Sequence, residues 1–471
     1  MEKIFMNTLM RSLALLLFVT SAVQADLTIS SIIGDNMVIQ RDQPVVLWGW
    51  DEAGQDISVS MGGAKATSKA ADDGSWSVSL PALSAGGPHE ITFNGSSDVT
   101  IKNVLVGEVW LCSGQSNMEW TVAQSLNPQE EIKAGTHPRI RHIKFPHVVS
   151  DKPIDNARTN GWTETTPHTV AGYTAVGYAY ARFLQKELDV PVGIIGCNWG
   201  GTRIEPWTPP VGFQSVEALK DIADDLANYP LKNDKGQVQV QTPLAIYNAM
   251  VHPILKFRFK GAIWYQGESN NGEGMLYHEK MKALIYGWRK VFNNPDMPFY
   301  FVQLAPYRYN RPEALPGIWE AQLATLSVEG TGMAVTTDIG NVGDIHPKNK
   351  QEVGRRLSLW ALTHTYSREV GIVSGPLYKS MKIEGNKVRI SFDYTDGRLA
   401  ANDGKDLSWF TIKGKDGEFV EAKAVIDGQT VLVSSDEVEE PVAVRLGWNE
   451  LAEPNLVNAA GLPASPFRTD R

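Results

Sequence analysis

The stretch Val109-Trp-Leu-Cys-Ser-Gly-Gln-Ser-Asn-Met118 joins an apolar run to a turn of small polar residues. Extended back to Val104, the run reads "VLVGEVWLCSG". A nearly continuous apolar segment of this length, closed by Gly and polar residues, fits a strand buried on both faces. The turn that follows lifts a hydroxyl, Ser116, off the strand end. A serine in such a turn is usually structural. It becomes a nucleophile only when a base takes its proton and preset N–H donors await the oxyanion.

Strands and helices alternate downstream of this point. "TAVGYAYARFLQKEL" has helical spacing and leads at once into "VPVGIIGCNWGG", a buried strand ending in Gly-Gly. "GAIWYQGESN" is another apolar run ending in a polar turn, followed by the helix "YHEKMKALIYGWRKVF". "MPFYFVQLAPY" and "GMAVTTDIG" read as strands, and "NKQEVGRRLSLWALTHTY" as a closing helix. This alternation predicts an α/β fold, a parallel sheet with helices on both faces. Reactive groups in such sheets gather beyond the carboxyl ends of the strands, where the polar turns and the His346 loop all fall.

The flanks differ. Residues 26–104 hold short alternating runs such as "QPVVLWGW" and "SWSVSL" between Gly, Asp and Pro clusters, the pattern of a small β-sandwich. Residues 371–471 repeat that pattern as a second β unit, which leaves 105–370 as the α/β domain. Residues 1–25 read as an export signal, with Lys3 and Arg11 flanking "SLALLLFV" and small residues before Asp26. The apolar run is too short to span a bilayer, so the expected location is secreted or periplasmic, with no membrane attachment after cleavage.

Composition narrows the function. The 44 Lys and Arg against 53 Asp and Glu give a net charge of −9, with no basic cluster, which argues against a nucleic-acid partner. The two cysteines, Cys112 and Cys197, lack metal-ligand spacing and read as packed thiols, with one bridge between neighbouring strands left open. The best-placed base is His346, in the Gly- and Asp-rich loop "TTDIGNVGDIHPKNK" between a strand and a helix. Asp344 and Asp338 are both near enough in sequence to orient its imidazole, with Asp344 preferred. Gly200 and Gly201 in "NWGGTRIEPW", and Gln266 and Asn270 in "WYQGESN", are candidate oxyanion donors. Arg203, Trp120 and Glu268 are candidate substrate contacts. Trp207 and Tyr265 could stack on a substrate ring or fill the core, and Arg203 could meet a substrate carboxylate or brace Glu205.

Four ordered blocks now carry a resemblance. "GEVWLCSGQSNMEW", "NWGGTRIEPW", "IWYQGESN" and "DIHPKNKQEVGRRL" resemble the blocks of SGNH (GDSL-like) hydrolases, and most closely the sialate O-acetylesterase family of carbohydrate acetylesterases. The likeness runs from about residue 30 to the C-terminus. It implies an SGNH-like sheet, Ser116 as nucleophile, His346 as general base, and Gly200 or Gly201 as oxyanion donor beside the Ser116 amide. It also implies an O-acetylated sugar or glycan as substrate, with no metal or cofactor. Two departures matter. The superfamily's Gly-x-Asn-Asp is here Gly267-Glu-Ser-Asn270, which passes the third donor to Gln266 or Asn270. Its Asp-x-x-His is here Asp344-Ile-His346, so a Ser-His dyad oriented by a backbone carbonyl stays open. Acetyl xylan or xyloglucan is the alternative substrate, and a catalytically dead carbohydrate-binding protein is the alternative of another class.

Overall fold

The computed structural model describes residues 26–470, so the segment read as an export signal lies outside the described residues. The run that opens the sequence reading is the second half of a 17-residue strand, β1 (Asp98–Gly114). Its first half pairs antiparallel with Gly86–Asn94 among the N-terminal strands. Its second half pairs parallel with two strands of the central sheet. The boundary expected after residue 104 therefore falls inside one strand. Leu47 and Phe93 of the N-terminal strands also share a continuous apolar core with Trp110 and Ile194.

The chain continues through α1 (Ser116–Glu119), β2 (His137–Lys144), β3 (Thr163–Thr165), α2 (Ala175–Leu188), β4 (Val192–Asn198) and β5 (Gly261–Tyr265). Then follow α3 (Leu276–Val291), β6 (Phe299–Val302), α4 (Ala314–Thr325), β7 (Thr331–Ala334) and α5 (Lys350–Trp360). The central sheet runs β3-β2-β4-β1-β5-β6-β7. Its pairings are parallel except at the β3 edge. Thr174 caps α2 by accepting from Gly177 N, and Asn349 caps α5 by accepting from Glu352 N. The sequence pattern hid α4, because Pro316 and Gly317 sit in its first turn. A proline is tolerated there, since first-turn amides have no helical acceptor.

Strand alternation fixes the layers. Trp110 of β1 meets Tyr180 of α2, with ring centroids 5.1 Å apart. Trp264 of β5 lies level with Ser113 of β1, on the other face, and meets Trp288 of α3 at 5.8 Å. Helices α2 and α3 thus cover opposite faces of a mixed α/β sheet. Cys112 and Cys197 are buried free thiols. Cys197 pairs in register with Ser113, so the two sulfurs face opposite ways and do not bridge.

Beyond residue 371 one sheet is built from Leu377–Glu384, Lys387–Asp393, Thr430–Ser434 and Lys423–Asp427. A second contains β8 (Phe410–Gly414) and β9 (Pro441–Leu446). Val388, Ile390, Val431 and Val433 of the first meet Phe410, Ile412, Val444 and Leu446 of the second in a core separate from the main one.

The register of the central strands positions the site. Gly114 lies level with both Asn198 and Tyr265, so the turns after β1, β4 and β5 leave the sheet side by side. Gly114 has φ +130, and a Cβ there would lie 2.2 Å from the Tyr265 carbonyl oxygen. Gly114→Ala combines an unfavourable φ with a backbone clash. It should lower unfolding free energy by at least about 2 kcal/mol, read from urea denaturation.

Candidate active site

Ser116 opens α1 immediately after the β1 strand end, and its Oγ lies 2.9 Å from His346 Nε2. The two residues are 230 positions apart in the chain. Trp120 stacks on the imidazole at 4.3 Å with the planes 13° apart, so it serves the histidine with one face. Its indole N–H donates to Gln124 O. The Ser116 N–H, first in its helix, has no acceptor among the described residues.

The orienting carboxylate differs from the expectation. Asp344 Oδ1 accepts the His346 backbone N–H at 2.9 Å and stands 3.8 Å from Nδ1, beyond hydrogen-bond length. Asp338 is excluded as orienter, because it binds Arg356 through two bonds of 2.7 Å. No backbone carbonyl bonds Nδ1 among the described residues. Burial and the Lys350 charge pull the imidazole below its ordinary value, against the pull of Asp344 upward. His346 is therefore largely neutral, and able to accept a proton, at neutral pH.

Several expected donors and contacts are committed elsewhere. Gly200 does approach Ser116, with a Cβ there only 3.2 Å from that of the serine, but its N–H donates to Glu119 Oε2 at 2.7 Å. Gly201 is exposed, with open space around it. Gln266 is fully buried, and its amide donates to Thr202 O and Asn270 Oδ1. The Asn270 amide donates to Glu205 and Glu273. Neither side chain has a donor left for an oxyanion. Arg203 is held by Glu205 at 2.8 Å and by Glu273, so it braces rather than presents a free charge. Trp207 and Tyr265 are core residues.

Glu268 points under the nucleophile turn instead of toward a sugar. Its Oε1 accepts from Asn117 Nδ2 at 2.5 Å, and its Oε2 is buried without a partner. The Asn117 amide also donates to Ile345 O at 3.0 Å, while its Oδ1 accepts from Lys350 Nζ. One asparagine thus ties the Ser116 turn to the His346 loop. Burial raises the Glu268 carboxyl and lowers the Lys350 ammonium to about 7. On the opposite side Glu119 Oε1 meets Lys144 at 3.0 Å and His147 at 2.7 Å. Burial pushes the Glu119 carboxyl up, but Lys144 and the Gly200 amide prevail and hold it low.

Sequence reasoning missed Asn117, Lys350 and Glu119. Lys350 carried a signal, because a lysine at the first position of a helix opposes the macrodipole and needs another reason to be there. Glu119 carried one too, three residues after Ser116 and so on the same helical face.

The segment 305–312 forms a further wall. Arg308 N donates to Val342 O in the His346 loop, and Arg311 Nη2 donates to Asn271 O beside the third polar turn. Half-buried Tyr307 and Tyr309 pack edge to face at 4.8 Å. The C-terminal unit holds this wall through Glu450, which is buried. Its carboxylate accepts from Tyr309 N at 3.1 Å, Asn310 N at 2.8 Å and Arg311 N at 3.2 Å. Nothing local in the sequence marks Glu450.

An alcohol and an imidazole joined at the carboxyl edge of a parallel sheet suit ester cleavage. The human sialate O-acetylesterase is similar, 29% identical over 407 residues, which is 78% of this chain and 76% of that one. The mouse sialate O-acetylesterase is 28% identical over 424 residues, 78% of each. The crystal structure of a carbohydrate acetylesterase from Xanthomonas citri is 38% identical with a TM-score of 0.86, covering 94% of this chain and 99% of that one. The fold, the site and these relatives define a carboxylic ester hydrolase, which replaces the reading of a dead carbohydrate-binding protein. The model of carbohydrate esterases described as sialic acid-specific acetylesterase matches residues 106–359, more than half of the chain. This protein belongs to that family.

Glu450→Ala would orphan three backbone donors that now share one carboxylate. An expected loss of about 3 kcal/mol in urea denaturation follows from charge-assisted bonds of this kind. Amides of residues 309–311 should exchange faster with deuterium, and KM for an acetyl ester should rise more than kcat falls.

Proposed function

We propose that this protein removes O-acetyl groups from sialic acid through an acetyl-Ser116 intermediate, with His346 as general base. The observation that carries this reading is the 2.9 Å contact between Ser116 Oγ and a His346 imidazole kept largely neutral. In the first step His346 Nε2 takes the hydroxyl proton as Oγ bonds to the acetyl carbon, and the same proton then passes to the departing sugar oxygen. In the second step water, deprotonated by His346, displaces Ser116 and frees acetate. The unpartnered Ser116 N–H is the proposed first oxyanion donor. Asp344 acts as a nearby charge and a holder of the His346 backbone, so the pair works as a dyad with an electrostatic helper. The SGNH-like reading of the sheet and the exported location are parts of the same proposal.

A second reading, deacetylation of neutral plant polysaccharide, is favoured by Arg203, whose charge is already met by Glu205 and Glu273. Acetate release from O-acetyl sialic acid compared with acetyl xylan separates the two. Faster turnover of acetyl xylan would overturn the sialate assignment.

Ser116→Ala and His346→Ala should each lower kcat/KM for 4-nitrophenyl acetate by about 10³-fold or more, and the double variant by little further. Retained activity in Ser116→Ala would refute the nucleophile. The acid limb of the kcat/KM profile should lie below the roughly 6.5 of a free imidazole, because activity is lost only as protonation of His346 sets in. Asp344→Asn removes an upward pull and should move that limb lower, whereas Lys350→Met should move it higher.

A further inference from the structure

The C-terminal unit carries a cleft of about 640 Å³ that Glu313, at the end of the site wall, helps to line. Trp409, Phe419, Trp448, Arg445, Glu313 and Asn449 line it. Two of these residues connect it to the wall. Glu313 follows the 305–312 segment directly, and Asn449 precedes the Glu450 that grips that segment.

The chemistry of the lining is specific. Arg445 lies over the Phe419 ring at 3.9 Å and near Trp448 at 5.4 Å, so both rings are fixed in place. Its charge is met by Asp470 through bonds of 2.6 and 3.1 Å. Arg445 also stands 3.8 Å from Glu313, and Arg468 and Lys413 lie over the Trp448 and Phe419 rings at 5.0 and 5.8 Å, so cations and carboxylates offset one another around the cleft. Trp409 is 41% exposed, and its ring meets no other ring or cation among the described residues. Its φ is +65, a left-handed conformation that is a genuine outlier for a bulky side chain. The backbone there is held by the Gly447 N–H, which donates to the Trp409 carbonyl at 2.9 Å, but the ring itself stands in water. A flat apolar face beside carboxylate and amide acceptors matches a sugar ring, with its C–H face and hydroxyl rim, and the Arg445 charge, already paired with Asp470 and Glu313, is not left free for an anionic one.

We propose that this cleft binds a neutral saccharide chain and so holds a glycan beside the esterase site. The inference goes beyond the deacetylation reading and needs no turnover. The test is affinity electrophoresis and calorimetry of the full chain with unacetylated xylo-, cello- and manno-oligosaccharides, and with sialyllactose. A neutral oligosaccharide should bind, and Trp409→Ala should weaken it about tenfold. Trp409→Asn should weaken it equally while holding or raising Tm, because asparagine tolerates the left-handed backbone. Turnover of 4-nitrophenyl acetate should be unchanged in both variants. The proposal is overturned if no neutral oligosaccharide binds, if the folded Trp409 variants bind as well as the parent, or if sialyllactose binds in preference through Trp409. Because these ligands carry no ester, loss of esterase activity and loss of cleft binding are read separately.

Discussion

The level ending of three parallel strands is the constraint on which the site depends. Gly114, Asn198 and Tyr265 stand in register, so the polar turns of β1, β4 and β5 start from one edge. The closeness of Gly114 to the Tyr265 carbonyl leaves no room for a side chain, and the next residues turn at once into α1. A one-residue slip would reverse the faces of every side chain on the strand, sending Trp110 away from Tyr180. Packing on both faces therefore fixes where Ser116 emerges.

Buried polar networks then hold what the sheet has placed. Asn117 links the nucleophile turn to Glu268, Lys350 and the His346 loop. Lys280 and Arg203 share Glu205 and Glu273, and Asn270 and Gln266 are bonded into the same assembly. Groups this deeply buried are costly when any partner is missing, so the network is stiff once it is complete. That stiffness explains why polar residues at the strand ends serve as bracing instead of facing a substrate.

The C-terminal unit has its own core, yet it takes part in the site. Glu450 fixes the backbone of the wall, and Gln303 at the end of β6 donates to Ser465 at 2.9 Å. Arg468 reaches Glu320 of α4 at 2.9 Å. These contacts couple the shape of the wall to a unit that supplies no reacting atom.

Much was determined by the sequence alone. Apolar runs capped by polar turns announced the parallel strands, helical spacing announced α2, α3 and α5, and Ser116 and His346 stood out because each sits in a turn that local rules place at a strand edge. Local rules stop at the element end. They offered Gln266, Asn270 and Arg203 as free groups, because a single sequence does not show which partners folding brings within 3 Å. Tertiary structure decided that these groups are consumed by Glu205, Glu273 and Thr202. It also decided that Asp344 bonds a backbone amide, and that a carboxylate from beyond residue 400 shapes the wall. The physical reason is that hydrogen bonding acts over ångströms. Its partners here lie tens to hundreds of residues apart, and only the packed sheet converts one separation into the other.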